Sequence, residues 1–238
     1  MNLKLNNKII SAAFIAAEAI LSVLIQILSG TVLDVVSFSA VALALVYVIL
    51  QYRYDPVWQI SAIALTFTVL ADVCLVLISA RLQLLGMCFF SVTQLAYFAR
   101  TLNTEESLLI RRIHLVVRVI ILVAASVATV AVLGDGADAL SVISVIYYAN
   151  LLLNVLFSFI SLHGGLTKTR LMLSIGLVCF ALCDLFVGMS CIEAYIPLTE
   201  GTFWYFLAYP TFNIAWLFYV PSQTLLALST AKQEKIPT

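Results

Sequence analysis

Eight stretches of this chain are continuously apolar for about the length a helix needs to cross a bilayer, and few other features constrain its fold as much. A hydrocarbon core of roughly 30 Å is crossed by about 20 residues at 1.5 Å per residue. The stretches run from Lys8 to Leu28, Val35 to Leu50, Val57 to Ser79, Gln83 to Ala99, Arg112 to Leu133, Ala139 to Ser161, Thr169 to Ser190 and Phe203 to Ser229; the second and fourth are short and the eighth is long. Only helices and closed barrels satisfy their own backbone in hydrocarbon, and runs that do not alternate between polar and apolar exclude a barrel. Charged residues make up 10% of the chain, against about 25% in a soluble domain. The expected fold is therefore all-α: a polytopic membrane protein whose residues 1–238 form a single eight-helix transmembrane domain, with no soluble domain in its short loops. The first run follows Lys4 and Lys8, but it is too long for a signal-peptide core and lacks a clear cleavage site, so it is expected to be a retained span.

The charge is sorted across these spans. Lys4, Lys8, Arg53, Arg100, Arg111, Arg112, Arg118, Lys168, Arg170, Lys232 and Lys235 fall at or near span ends on the side of the N-terminus, and only Arg81 falls on the other. An even number of spans puts both termini on one side, and the positive-inside rule makes that side cytoplasmic, in the plasma (inner) membrane. Asp34, Asp135, Asp138, Glu193 and Glu200 sit in the opposite loops, so a net charge of zero conceals a polarised molecule. Five cysteines, four of them within spans, give no disulfide framework.

Equal orientation of the first four and last four spans permits a parallel 4+4 internal repeat. Asp72 on the third span and Asp184 on the seventh are at matched depth, and the span after each carries a glutamine, Gln94 and Gln223. Ala12, Ala13, Ala16 and Ala17, and Ala124, Ala128 and Ala131, are spaced as small faces for close helix packing. Pro210 and Pro221 in the last span each remove a backbone donor and are expected to bend it.

An ionisable side chain in hydrocarbon costs about 2.5 to 3.5 kcal/mol on insertion scales, so Asp72 and Asp184 are the leading functional candidates. Around them the interior polar inventory includes Glu18, Gln26, Gln94, Tyr97, Tyr147, Tyr148, Asn150, Asn154, Tyr209, Asn213, Tyr219, Ser222 and Gln223. Tyr147 and Tyr209 fall near the depth of the aspartates. The plainer reading of any one of these is an interhelical hydrogen bond. Other chemistries lack their residues. His114 and His163 lie near the ends of different helices, no lysine is available for a Schiff base, and Cys179 and Cys183 lack two further soft ligands. No phosphate-binding loop or nucleic-acid signature occurs, so neither a metal, a cofactor nor a nucleic-acid partner is expected.

The residues Leu70 to Cys74 around Asp72, Phe90 to Tyr97 with Gln94, Phe180 to Ser190 around Asp184, and Phe218 to Leu226 with Tyr219 and Gln223 resemble the YhhN-like membrane family, which includes the lysoplasmalogenases. The resemblance runs from about residue 55 to 229. Three positions depart from the family's habit: Asp55 precedes Pro56 where a lysine is frequent, Gln94 stands where histidine is common, and Cys183 where serine is common.

The resemblance implies an intramembrane hydrolase that cleaves the vinyl ether of lysoplasmalogen-like ether lysophospholipids, releasing a fatty aldehyde. Vinyl ethers hydrolyse by protonation at carbon followed by water attack on an oxocarbenium ion. An aspartate pair is suited to this: one carboxyl acts as general acid and the other, ionised, stabilises the cation and orients water. Either Asp72 or Asp184 can fill either role. Gln94, Tyr97, Tyr147, Asn150, Asn213, Tyr219 and Gln223 are candidates for holding water or the lipid head group. The expected partners are membrane lipids and a small lipid substrate. A small secondary or proton-coupled transporter is the alternative from another class, since a repeat, a bent helix and membrane carboxylates suit it equally. A non-enzymatic lipid-binding membrane protein is the third.

Overall fold

The computed structural model describes residues 2–52, 55–78, 80–105, 107–192, 195–210 and 212–230. Arg53, Lys232, Lys235, Glu193 and the side chain of Lys4, which entered the charge count, lie outside the described residues, as do both chain ends. The helices are α1 (Asn2–Ile27), α2 (Gly30–Leu50), α3 (Pro56–Asp72), α4 (Gln83–Thr104), α5 (Leu108–Leu133), α6 (Ala139–Ile160), α7 (Lys168–Ile192), α8 (Phe203–Ala208) and α9 (Ile214–Leu228). α3 continues into a π-helical segment, Val73–Ile78.

Local chemistry sets several boundaries. Asp55 caps α3 by accepting from the Trp58 backbone N–H at 2.8 Å, and Pro56 takes the first turn, where a missing N–H costs nothing. Ser107 caps α5, which makes that helix begin at Leu108, four residues before the start expected from hydropathy. Asp138 and Ser141 form a reciprocal capping box at α6. The hydrogen bonds from Ser141 hold the Asp138 carboxyl below its ordinary value of 3.8. A depressed carboxyl contributes stability above its unfolded value and loses it as pH falls through the folded one. Asp138→Ala is therefore expected to reduce the loss of thermal stability on acidification below about pH 4, read by unfolding in one detergent across a pH series; an unchanged acid limb would contradict this.

Among the described residues six helices are long and apolar enough to cross a membrane: α1, α2, α3 with its π extension, α5, α6 and α7. The protein is an integral membrane protein, and its surface agrees, because large apolar side chains are exposed all around it while polar ones are buried. On α5, Val116, Val119, Ile120, Val123 and Val127 face outward and His114, Arg118 and Thr129 face inward, the reverse of a soluble amphipathic helix. α4 has the length, about 33 Å for 22 residues. Its hydropathy is lowered by Thr93, Gln94, Arg100 and Thr101, all buried between helices.

The last expected span, Phe203 to Ser229, is not one helix. α8 stops at Ala208 and α9 starts at Ile214, because Pro210 lacks the N–H that would continue the helix and pushes Tyr209 out of helical geometry. Tyr209 is exposed at the surface of the bundle and does not face into it. With 15 residues, α9 reaches only about 22 Å.

Two further expectations are corrected. Arg118 is ten residues into α5, about 15 Å from the helix start, and buried, so it does not mark a helix end. The alanine faces Ala12, Ala13 and Ala16, and Ala124, Ala128 and Ala131, are exposed. On α5 the polar side chains take the inward face, because an unpaired arginine in lipid costs more than alanine packing gains.

Around the bundle α1 packs on α2, α2 on α3, α3 on α4, α4 on α6, and α6 on α7; α9 packs on α7 and closes back onto α1, α2 and α3. α5 leans on α6 from outside. α3 with α4 and α7 with α9 are the two broadest pairs. α7 and α9 approach closely at Gly176, where an added Cβ would lie 3.0 Å from Leu226 Cγ, and the Ser222 hydroxyl donates to the Gly176 carbonyl at 2.8 Å. The largest buried cluster fills the space between α3, α4, α6, α7 and α9, and both aspartates border it.

Candidate functional site

Asp72 is the last residue of α3 before the backbone widens into the π segment. Such segments are rare and concentrate at functional sites. Asp72 is 3% exposed, and Tyr219 of α9 donates its phenol proton to Asp72 Oδ2 at 2.7 Å. Asp184 of α7 is half-buried, and its Oδ2 accepts from the phenol of Tyr147 on α6. Each carboxyl thus has one tyrosine, from a different helix. The two carboxyls are near enough for their charges to interact, and Tyr219 also feels Asp184. Asp184 lies eight residues from the Ile192 end of α7, about 12 Å along the helix.

Aromatic rings wall this space. Phe90 lies 5.7 Å from Tyr147 and 5.9 Å from Phe180, Phe180 lies 5.6 Å from Tyr219, and Trp216 lies 5.3 Å from Tyr219, all between centroids. Buried Cys183, next to Asp184 on α7, is near enough to both carboxyls and both phenols for their charges to interact. A cavity of about 330 Å³ is lined by Phe186, Val187 and Ser190 of α7 and by Pro210, Asn213 and Trp216 at the α8–α9 break, so the Trp216 ring separates it from the Tyr219–Asp72 pair.

Of the expected binding residues, Tyr147, Tyr219 and Gln94 are at the carboxyls. The Gln94 amide lies against the Tyr147 phenol, while its Oε1 and backbone oxygen accept from Asn154 Nδ2 at 3.0 and 2.9 Å. Gln223 is one turn along α9 from Tyr219, buried, with neither amide atom hydrogen-bonded. Tyr97 is one turn along α4 from Gln94, buried, with its hydroxyl without a partner and Arg100 close by. Arg100 donates to the Ser229 carbonyl at 2.7 Å, closing the end of α9.

Asn150 and Asn213 are engaged elsewhere. Asn150 Oδ1 accepts from Arg118, and Asn154 Oδ1 accepts from Arg118 Nη2 at 2.8 Å. Asn213 donates to the Ile25 carbonyl at 2.9 Å and its own carbonyl accepts from Gln26 at 3.2 Å, tying α1 to the α8–α9 break. The backbone there needs that tie, since the broken helix leaves carbonyls without intrahelical donors.

Sequence reasoning missed Arg118 and His114 as interior groups. Arg118 Nη2 lies 2.7 Å from His114 Nε2, the Phe98 ring covers the guanidinium at 4.0 Å, and Phe157 stacks on His114 at 3.5 Å. Ser107 was the available signal: a cap there places Arg118 deep in α5. The π segment carries no comparable signal in the sequence. Among the described residues no three His, Cys, Asp or Glu side chains are grouped as a metal site requires, and the five cysteines are free.

A buried and a half-buried carboxyl, each accepting from a phenol and bordered by aromatic rings, are groups able to hold a proton or a negative charge within the bundle. That is what general-acid chemistry with cation stabilisation needs. A family model described as "YhhN family" matches residues 33–230, which includes both aspartates and both tyrosines and leaves out all of α1 and the first residues of α2. No curated protein and no solved structure matches the chain.

Proposed function

Because the chain belongs to the YhhN family, we propose that it is an intramembrane hydrolase of lysoplasmalogen-like ether lysophospholipids, cleaving the vinyl ether with the carboxyls of Asp72 and Asp184. The observation that carries this reading is the pairing of each intramembrane carboxyl with its own tyrosine beside a shared cluster of aromatic rings. One aspartic acid gives its proton to the vinyl carbon remote from oxygen, and the double-bond electrons form the new C–H bond, leaving an oxocarbenium ion. The other, as carboxylate, stabilises that cation and takes a proton from the attacking water. The hemiacetal then breaks at its C–O bond to give a fatty aldehyde and the glycerol hydroxyl, and the proton passes back to the first carboxyl. One water is consumed and no redox partner is needed.

The surroundings suit an apolar substrate: Phe90, Phe180 and Trp216 lie beside the Tyr–Asp pairs, and the neighbouring cavity at the α8–α9 break offers space for part of an alkyl chain. In this reading α4 and the α8–α9 unit complete eight crossings, with both ends of the chain cytoplasmic in the plasma membrane. The broad α3–α4 and α7–α9 pairs, one aspartate in each, support the parallel repeat.

The same matched pairs, together with Glu18 buried on α1 with both carboxyl oxygens unpartnered, favour a proton-coupled carrier as the second reading. Purified protein in lipid nanodiscs, offered vinyl-ether, alkyl-ether and acyl lysophospholipids, separates the two. Aldehyde release from the vinyl ether alone is the expected result. Folded protein that releases no aldehyde from any vinyl-ether lysolipid overturns the hydrolase reading.

A further inference from the structure

Arg118 is a buried guanidinium in the middle of an apolar helix, and its head bonds only to neutral groups: Asn150, Asn154 and His114. From it a row of side chains runs through Asn154, Gln94 and Tyr147 to Asp184, hydrogen-bonded from Arg118 to Gln94 and again from Tyr147 to Asp184, with Gln94 and Tyr147 as neighbours between. We infer that Arg118 is a positioning residue of the carboxyl pair, which acts through Asn154, Gln94 and Tyr147 to orient a one-way row of hydrogen bonds, making Asp184 the accepting carboxylate and leaving Asp72 to carry the proton.

The direction follows from donor and acceptor chemistry. Arginine only donates, so the atom it meets on Asn154 at 2.8 Å is the carbonyl oxygen. The Asn154 amide nitrogen therefore points the other way, to Gln94 Oε1 at 3.0 Å and the Gln94 backbone oxygen at 2.9 Å. With its oxygen so placed, Gln94 turns its Nε2 donor away; that atom is buried and makes no hydrogen bond in the structure, and the neighbouring phenol of Tyr147 is the acceptor the row assigns to it. A phenol oxygen facing a donor has its own O–H left to give, and Tyr147 gives it to Asp184 Oδ2. At each link the amide can be oriented only one way, because the first member has no lone pair.

The second carboxyl has no such row behind it. Tyr219 bonds to Asp72 at 2.7 Å and has no second hydrogen-bond partner among the described residues, so either oxygen of that pair is free to be the donor. Two negative charges side by side in hydrocarbon repel, and the row connects one cation to one carboxyl. The arrangement is balanced when Asp184 is the anion and Asp72 is neutral. The other titratable groups facing Asp184 are Tyr148 of α6, Cys183 of its own helix and Tyr219 of α9; facing Arg118 there is His114, whose Nε2 lone pair is turned toward the guanidinium. On the hydrolase reading, on which the roles rest, Asp72 delivers the proton to carbon and Asp184 steadies the cation and receives the proton of water.

Carbodiimide labelling tests the assignment without turnover. A hydrophobic carbodiimide adds the O–H of a protonated carboxyl across its C=N bond, and peptide mass spectrometry reports which aspartate was modified. In the full-length protein at neutral pH, Asp72 is expected to be labelled at least about tenfold more than Asp184, the ratio of a tenfold difference in proton occupancy. Access alone would favour Asp184, the more exposed of the two. Gln94→Leu cuts the row while keeping the arginine, and Arg118→Met removes its origin; in each the ratio should fall toward one. Predominant labelling of Asp184, or a ratio unchanged by Gln94→Leu, overturns the proposal, and Gln94→Leu serves alone if Arg118→Met does not fold. If neither aspartate is labelled, infrared spectra with ¹³C-carboxyl aspartate decide. A protonated-aspartate band that Asp72→Asn abolishes supports the assignment; a band that survives it, or no such band in the wild type, overturns it. Labelling on Asp72 from a protein that releases no aldehyde would leave the row standing and overturn the hydrolase reading alone.

Discussion

Asp72→Asn and Asp184→Asn are each expected to lower aldehyde release from a vinyl-ether lysolipid at least about a hundredfold, the lower range of what a positioned acid or base contributes. Both variants should fold. An amide has the shape of a carboxyl and can still accept from Tyr219 or Tyr147, but it neither delivers a proton nor carries the charge that steadies an oxocarbenium ion. Because the two carboxyls act on one reacting group, removing both should cost little more than removing either, as for other residues that work as a unit. Initial rates of aldehyde formation, measured beside the thermal unfolding of each variant, check this. Retention of more than about a tenth of wild-type rate by a folded single variant would take that residue out of the chemistry.

The largest effect on stability is expected at Asn154. Asn154→Leu removes the acceptor of Arg118 Nη2 and the donor to Gln94 together, leaving a buried cation short of a partner. Breaking one side of a buried charged contact costs about 3 kcal/mol or more. Combining it with Arg118→Met should recover most of the loss, since replacing both members by apolar groups is far cheaper than orphaning one. Unfolding of the two single variants and the double variant in the same detergent gives the comparison. Losses that simply add would mean that the contact contributes nothing specific.

The places where sequence and structure part are informative. α6 and α7 begin and end within a few residues of their apolar runs, because hydropathy summed along the chain sets which segments leave water. Asp72 and Asp184 were legible for the same reason: a carboxyl in an apolar run is costly wherever its helix is packed. Their tyrosines stood in an inventory of a dozen polar residues, with nothing to say that Tyr147 belongs to Asp184 and Tyr219 to Asp72. Asn213 and Asn150 were in the same inventory and turned out to serve the backbone at the α8–α9 break and the arginine on α5.

The sequence by itself therefore determined that the chain is helical, that it lies in a membrane, and that three acidic residues, Glu18, Asp72 and Asp184, sit within its apolar segments. All three follow from free energies of transfer, which depend on composition and length. Only the tertiary structure decided which face of each helix is inside. Lipid is as apolar as a helix interface, so hydropathy cannot distinguish the two, and the choice falls to close packing and to the pairing of the few polar groups. Arg118 turns α5 inward against its alanines, Pro210 and Asn213 divide the last segment, and the π segment after Asp72 sets that carboxyl toward Tyr219. The bonds of Arg118 to Asn150 and Asn154, of Asn213 to Ile25 and of Tyr219 to Asp72 join residues far apart in the chain, where the energy depends on a partner that no local stretch of sequence contains.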